Sequence, residues 1–146
     1  MDRRHIGAAF KSIAHRIDRI MNNIPAIRDN GKLTSIQVWI LNFLFRNEGK
    51  DMFQRDVERE FHIRRSTATE ILTAMERNDL IRRERTDYDA RLKKIVLTGY
   101  AAEIRKQLQT QMRRLEAALT DGFTDDEIRQ FFAFVDRFKA NLEKCE

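Results

Sequence analysis

The sequence predicts a mainly α fold with one small β-hairpin wing, a winged helix-turn-helix set between long terminal helices. Three observations predict it: two amphipathic helical patterns joined by a tight link over 54–77, an extended pair with a charged loop over 80–97, and apolar repeats of helical period on either side.

From the start, Ile6, Phe10, Ile13, Ile17, Ile20 and Ile24 recur at steps of four and three, which describes a long helix stopped by Pro25. The stripe is narrow, like the seam between two helices rather than one face of a large core. After a turn around Asp29-Asn30-Gly31, Thr34 with Gln37 forms a capping-box pattern. The helix it opens carries Ile36, Val38, Trp39, Ile40, Leu41, Phe43, Leu44 and Phe45, apolar nearly all round, and is therefore the central one. Asn47 to Asp51, with Gly49, is the next turn.

In Gln54–Phe61, Val57 and Phe61 share one face and charged residues hold the other. His62 and Ile63 link to a second helix, Arg65–Arg77, with Ala68, Ile71, Leu72 and Met75 inward. Asn78 and Asp79 tolerate the left-handed backbone that ends a helix. Leu80–Arg85 then turns extended, Thr86–Arg91 is the loop, and Leu92–Leu97 is the return strand. Gly99 marks the exit, and a helix from Tyr100 carries Ile104, Leu108, Met112, Leu115 and Leu119 until Gly122 breaks it. Thr124 and Glu127 form a second capping box before a last helix with Ile128, Phe131, Phe132, Phe134, Val135, Phe138 and Leu142. Its apolar residues exceed the stripe of about 100° that one small core needs, which predicts a partner over it.

A chain of 146 residues suits one domain, 1–146. The net charge of +5 points only mildly to an anionic partner, but its distribution says more. Residues 82–94 hold six basic groups against three acids, and 121–146 hold four against seven, so the wing is basic and the C-terminal end acidic. The lone Cys145 allows no internal disulfide and fits a reducing compartment. No apolar run reaches the roughly 20 residues of a membrane span, and Asp2, Arg3 and Arg4 precede an amphipathic pattern rather than a signal-peptide core, so a cytoplasmic location is expected. His5, His15 and His62 lack metal-ligand spacing, and no Gly-rich phosphate loop, nucleophile elbow or Cys–His arrangement is present; neither enzyme activity, metal nor cofactor is expected.

The chemistry suggested instead is nucleic-acid binding. Arg64, Arg65, Ser66, Thr67 and Thr69 cluster at the start of the second helix, where unpaired N–H groups add to their donors. Hydroxyls and Gln54 suit phosphate contacts, whereas a guanidinium can pair bidentately with guanine. Arg91, at the hairpin tip, suits a narrow minor groove; an exposed ion pair with Asp87 or Asp89 is the competing use and is worth little. Lys93, with Arg82, Arg83, Arg85 and Lys94, faces phosphate or solvent. Glu70 and Glu76 keep open a second reading, a winged helix that contacts protein rather than DNA.

These residues also resemble a known family, the MarR transcription regulators of bacteria and archaea. The similarity lies in Leu33-Thr34-x-x-Gln37-x-Trp39-x-Leu41, Gln54, Ser66-Thr67-x-Thr69, Leu80-Ile81, the wing signature Asp87-x-Asp89-x-Arg91, and Val96-Leu97-Thr98. There are departures. Glu70 replaces a commonly basic or neutral residue, Thr73 an acid that frequently braces the wing, and Phe53 and Arg64 stand where Ser or Thr usually caps a helix. The resemblance implies a winged DNA-binding core over 32–98 and dimerisation helices over 1–28 and 99–146. It further implies a homodimer that represses transcription by occupying a palindromic operator in double-stranded DNA. A small anionic aromatic or lipophilic effector would sit in a cleft walled by His15, Arg16, Trp39 and Phe43, positions that by themselves read equally well as plain core. Some MarR-like proteins use cysteines as redox sensors, but Cys145 sits beside Lys144 and two glutamates near a chain end, a setting in which a thiol is more often inert.

Overall fold

The computed structural model describes residues 4–29, 31 and 33–146. Asp2 and Arg3, the middle of the expected turn at Asn30, and the first residue of the 32–98 segment lie outside the described residues. The elements are α1 (Ile6–Asn22), α2 (Pro25–Arg28), α3 (Ser35–Arg46), α4 (Gln54–Phe61), α5 (Arg65–Arg77), β1 (Ile81–Arg85), β2 (Lys93–Leu97), α6 (Gly99–Thr120) and α7 (Asp125–Glu143). This is the mainly α, winged-helix class that the patterning predicts. Among the described residues no helix is long and apolar enough to cross a membrane. Chain contacts divide the molecule into two compact units, 1–109 and 110–146.

The first unit is built on α3. Its start is fixed by the capping box: Thr34 N–H donates to Gln37 Oε1 at 3.1 Å, and Gln37 N–H donates to Thr34 Oγ1 at 3.5 Å. Val38, Ile40, Leu41, Phe43, Leu44 and Phe45 of α3 are buried, as are Met21, Val57, Leu72, Met75 and Ile81 from other elements of the unit. Each such aliphatic side chain contributes about 1.5–3 kcal/mol when fully removed from water, so this cluster, not local propensity, holds the short helices. Phe43 meets Phe61 edge-on at 5.9 Å, and the Arg105 guanidinium lies 4.4 Å from the Phe45 ring centroid.

α1 follows its predicted stripe but ends at Asn22, ahead of Pro25. The proline opens α2 at the first helical position, where a missing N–H leaves nothing unpaired. A helix of four residues is too short for periodicity to reveal. Ile6, Ile13 and Ile20 of the α1 stripe are more than half exposed, while Met21 and Ile24 are buried.

Neither α4 nor α5 has a side-chain cap, and both begin after bulky residues, Phe53 and Arg64. At α4 the Asp56 carboxylate accepts from the Phe53 N–H at 2.8 Å and compensates. His62 takes the left-handed conformation, φ 48°, which lets Ile63 N–H return to the Glu58 carbonyl at 3.2 Å. Asp79 does the same after α5, φ 59°, with Leu80 N–H donating to the Met75 carbonyl at 2.9 Å. The strands pair antiparallel from Ile81 opposite Leu97 to Arg85 opposite Lys93. Each begins one residue later than the sequence suggests, and Gly99 is the first residue of α6 rather than a break before it.

In the second unit, Gly122, φ 80°, ends the α6 stretch, and the predicted Thr124–Glu127 capping box opens α7. No residue of α7 is buried, and Phe131, Phe132, Phe134 and Leu142 are each more than two-fifths exposed.

His62 is a non-glycine residue in a left-handed cap, which costs about 1–2 kcal/mol of local strain. His62→Gly should therefore raise unfolding stability by up to about 1 kcal/mol, the larger freedom of glycine in the unfolded chain offsetting part of the relief. Chemical denaturation measures it, and a loss of stability would show that the imidazole makes a contribution larger than the strain.

Candidate nucleic-acid interface

α4, the first turns of α5 and the wing enclose a cleft of about 520 Å³. Gln54, Arg55 and Glu58 line it from α4, Arg65 and Thr69 from α5, Arg83 from β1, and Arg91, Lys93 and Ile95 from the wing's far side. Five cations thus face one carboxylate. Among the described residues Arg55, Arg65, Arg91 and Lys93 make no ion pair. Arg55 lies over the Phe53 ring at 5.1 Å. Such a concentration of positive charge attracts anions, and salt of physiological strength screens it only beyond about 8 Å.

The cleft gathers five of the eight predicted DNA-contacting residues: Gln54, Arg65, Thr69, Arg91 and Lys93. Arg64, Ser66 and Thr67 are exposed at the start of α5 and do not line it. Gln54 and Thr69 are tied to each other. Gln54 Nε2 donates to Thr69 Oγ1 at 2.9 Å and to the Arg65 carbonyl at 3.3 Å, and Thr69 Oγ1 donates to the same carbonyl at 2.8 Å. The Gln54 donors are spent on docking α4 against the start of α5 and the Thr69 donor on its own helix, so these two side chains hold Arg65 in place.

The wing is anchored at both ends. At its base, Ile95 N–H donates to the Met52 carbonyl at 2.7 Å, and Lys94 pairs with Asp51 at 3.8 Å. Tyr88 donates to Asp51 at 3.2 Å; desolvation first, then this hydrogen bond and the Asp51 charge, hold its hydroxyl above the ordinary range, so it remains a donor at neutral pH. At its tip, buried Thr86 accepts from Asp89 N–H at 3.2 Å and donates to the Asp89 carbonyl at 2.7 Å. The Asp89 carboxylate accepts from the backbone N–H of Arg91 at 2.9 Å. Asp89 therefore shapes the turn, and the Arg91 guanidinium makes no ion pair among the described residues.

Of the positions suggested for an effector, His15 and Arg16 are exposed on α1, Trp39 is half-buried on α3, and Phe43 is buried against Phe61. None of the four lines the cationic cleft or a smaller cleft of about 290 Å³ between the α3–α4 turn and β2.

The model of the MarR family matches residues 32–92, which hold all of the cleft's lining residues except Lys93 and Ile95. Over that stretch the chain is similar to the MarR family, and its fold is a winged helix of MarR type. Solved structures agree over nearly its whole length. The transcription regulator MarR from Oenococcus oeni PSU-1 is 28% identical, with 93% of this chain and 99% of that one covered and a TM-score of 0.82. MepR of S. aureus, in its DNA complex, is 20% identical, with 94% and 96% covered and a TM-score of 0.82. PcaV from Streptomyces coelicolor, in complex with its natural ligand, is 24% identical, with 93% and 92% covered and a TM-score of 0.74. At their identities the last two attest the fold alone. No curated protein sequence matches this chain.

In this MarR-like wing, two residues matter that sequence reasoning left in the background. Thr86 reads as an ordinary loop residue, yet it is buried and organises the turn. Arg83 reads as one of several flanking cations, yet strand alternation from buried Ile81 puts it on the inner face, opposite Ile95. That alternation was the available signal.

Thr86→Val keeps the shape and removes both bonds to Asp89. It should destabilise the wing by about 1–3 kcal/mol, because Asp89 is left with unpaired backbone groups. Hydrogen exchange at the Asp89 and Leu92 amides should accelerate while the α3 amides remain protected; unchanged wing exchange would show that Thr86 does not organise the turn.

Proposed function

We propose that this chain is a DNA-binding transcriptional regulator, a homodimer that represses by occupying a palindromic operator. The observation that carries the reading is the cationic cleft, in which side chains from α4, α5 and the wing present unpaired positive charge on a MarR-like winged helix. In this reading Arg64 and Arg65 read base edges in the major groove, Ser66 and Thr67 hold phosphates, and Arg91 enters the minor groove with Lys93 on the backbone beside it. Gln54 and Thr69 position Arg65. MepR, of like fold, has been solved with DNA, which supports this assignment.

The dimer is supported by apolar surface that each unit leaves bare. Ile6, Ile13 and Ile20 of α1, and Phe131, Phe132, Phe134 and Leu142 of α7, are exposed in the single chain. Surface of this kind is costly to leave in water and is ordinarily covered by a partner. We assign residues 1–28 and 99–146 to dimerisation and 32–98 to DNA binding, within one functional domain. Two-fold symmetry then imposes two half-sites about one turn of DNA apart. Steric exclusion of polymerase from that stretch is the simplest route to repression.

Regulation by a small anionic aromatic or lipophilic ligand is part of the proposal, supported by the fold shared with PcaV, which was solved with its natural ligand. His15 and Arg16 would supply cationic groups, and Trp39 and Phe43 an apolar wall. A ligand acts only through its differential affinity for the free and DNA-bound dimer. The competing reading, a winged helix for protein contacts, is favoured by exposed Glu70 on the α5 face that would meet DNA.

Selection of bound sequences from random duplex DNA should return an inverted repeat; recovery of no preferred sequence, with protein partners captured instead, would favour the competing reading. Arg91→Ala should weaken operator binding and flatten its salt dependence, and Arg65→Ala should relax base preference with a loss of about 1–3 kcal/mol. Titrations across a salt series measure both, and unchanged binding in both variants would overturn the contact assignments. Sedimentation at micromolar concentration should give a dimer, and Phe132→Glu should shift it to monomer. Titrating phenolic carboxylates and fatty acids against a preformed operator complex should yield a compound that shifts operator affinity; binders without any shift would remove the regulatory role from His15, Arg16, Trp39 and Phe43.

A further inference from the structure

We propose that the cleft between α4, α5 and the wing is a built site for one phosphoryl group of the DNA backbone, with Arg83 as its central ligand. It rests on the DNA-binding reading above and adds to it a sequence-independent clamp beside the base-reading turn of α5, from which Arg65 also lines the cleft. Three observations carry the assignment.

The first is an unsatisfied guanidinium. Nε and Nη2 of Arg83 are shut off from water and make no hydrogen bond, although the side chain as a whole is a quarter exposed at the cleft wall. Nε lies 3.4 Å from Glu76 Oε2, close enough for charge attraction but without hydrogen-bond geometry; Nη2 has no partner at all. Buried donors left unpaired are costly and rare in folded proteins, and a guanidinium that turns from the wall into the cleft presents them in a fork that matches two oxygens of a phosphate. The second is the surrounding charge. Arg55, Arg65, Arg91 and Lys93 converge on the same cleft from three separate segments, against Glu58 alone. The third lies in the strand register: Arg85 stands directly opposite Lys93, a like-charge pair that destabilises a hairpin unless an anion lies near it.

The arrangement fits a tetrahedral oxyanion better than a flat carboxylate ligand, because donors reach it from α4, α5 and both strands. A backbone phosphate of duplex DNA and free inorganic phosphate share that chemistry. The commitment here is to the DNA phosphate, and inorganic phosphate serves as the probe that tells them apart.

The experiment uses the full chain and three variants: Arg83→Met, which keeps the buried stem, Arg83→Lys, and Glu58→Gln. Thermal unfolding is followed in phosphate against chloride at equal ionic strength, and duplex binding is titrated across a salt series. Phosphate at millimolar concentration should raise the wild-type midpoint, and saturating duplex should abolish that rise. Arg83→Met should lose the phosphate effect and bind all duplex sequences more weakly, by roughly ten- to a hundredfold. Its salt slope should fall by about one, with sequence preference retained. Arg83→Lys should fall between, since a point charge replaces a fork. Glu58→Gln should tighten phosphate binding, a gain that misfolding cannot imitate. Wild type and Arg83→Met behaving alike in both assays would overturn the site, and a phosphate effect that persists on DNA-bound protein would overturn the DNA backbone as its source. If the wild type holds no duplex at all, the regulator reading fails, while the phosphate arm still decides whether Arg83 binds an anion.

Discussion

The hydrogen bond from Ile95 N–H to the Met52 carbonyl, 2.7 Å, is the constraint on which the interface depends. It joins the return strand of the wing to the segment that leads into α4. A two-stranded hairpin by itself is at best marginally stable in water, and this one carries mostly charged residues. Buried Ile81 and Ile95 give it a hold on the core, and the Met52 bond sets where along α4 it sits. The Asp51 carboxylate reinforces the same junction, taking the Tyr88 hydroxyl and the Lys94 ammonium together. With the wing fixed there, Arg83, Arg91 and Lys93 face Arg55 and Arg65 across a cleft instead of spreading over a surface.

The carboxylates nearby are arranged so that they do not cancel this charge. Asp89 is turned to the backbone N–H of Arg91, Asp56 to the N–H of Phe53, and Asp51 to Tyr88 and Lys94. Each shapes a turn or opens a helix. A wing of six basic and three acidic residues over 82–94 has only a modest net charge, but Asp89 is committed to structure, and Arg91 and Lys93 form no ion pair among the described residues and are left for a partner. A count of charges along the chain understates the field that an approaching polyanion meets.

Much of this was legible in the sequence, and the parts that were not share a cause. Helix positions followed from apolar spacing, and both Ser/Thr-type capping boxes formed as their residue types require; α4 and α5 carry the ends that the patterning indicates. What periodicity missed was short or dependent on tertiary contact: the single turn of α2, Gly99 inside α6, and the tethering of the wing to Met52. At the interface, the exposed arginines of α5 and the wing tip were readable because residue type and element position suffice to propose a role. Arg83 was not separable from Arg82 and Arg85, because its distinction is burial on the inner face of a strand whose register had still to be known. Gln54 and Thr69 were readable as polar and outward, but not as partners of each other, a relation set by the angle at which α4 meets α5. Whether Trp39 and Phe43 wall a ligand cleft or fill a core depends on the same kind of packing, and spacing along one helix does not contain it.

The charge that suits the wing for DNA also works against the wing when DNA is absent. Arg85 facing Lys93 and the guanidinium of Arg83 with two nitrogens that lack a hydrogen bond raise the free energy of the closed hairpin in the free protein. On the reading proposed above, a phosphate in the cleft relieves both, so part of the stabilisation that DNA gives is the removal of a repulsion already present. Binding and wing order are then linked. An anion that fills the cleft favours the docked wing, and a protein whose wing is already docked binds the anion more tightly, by the same factor in each direction. The tether at Met52 limits how far the wing can open in the free state and therefore how much of the binding free energy is spent on closing it. The interface is thus held partly assembled by apolar and backbone contacts, while its remaining electrostatic frustration is directed toward the ligand that relieves it.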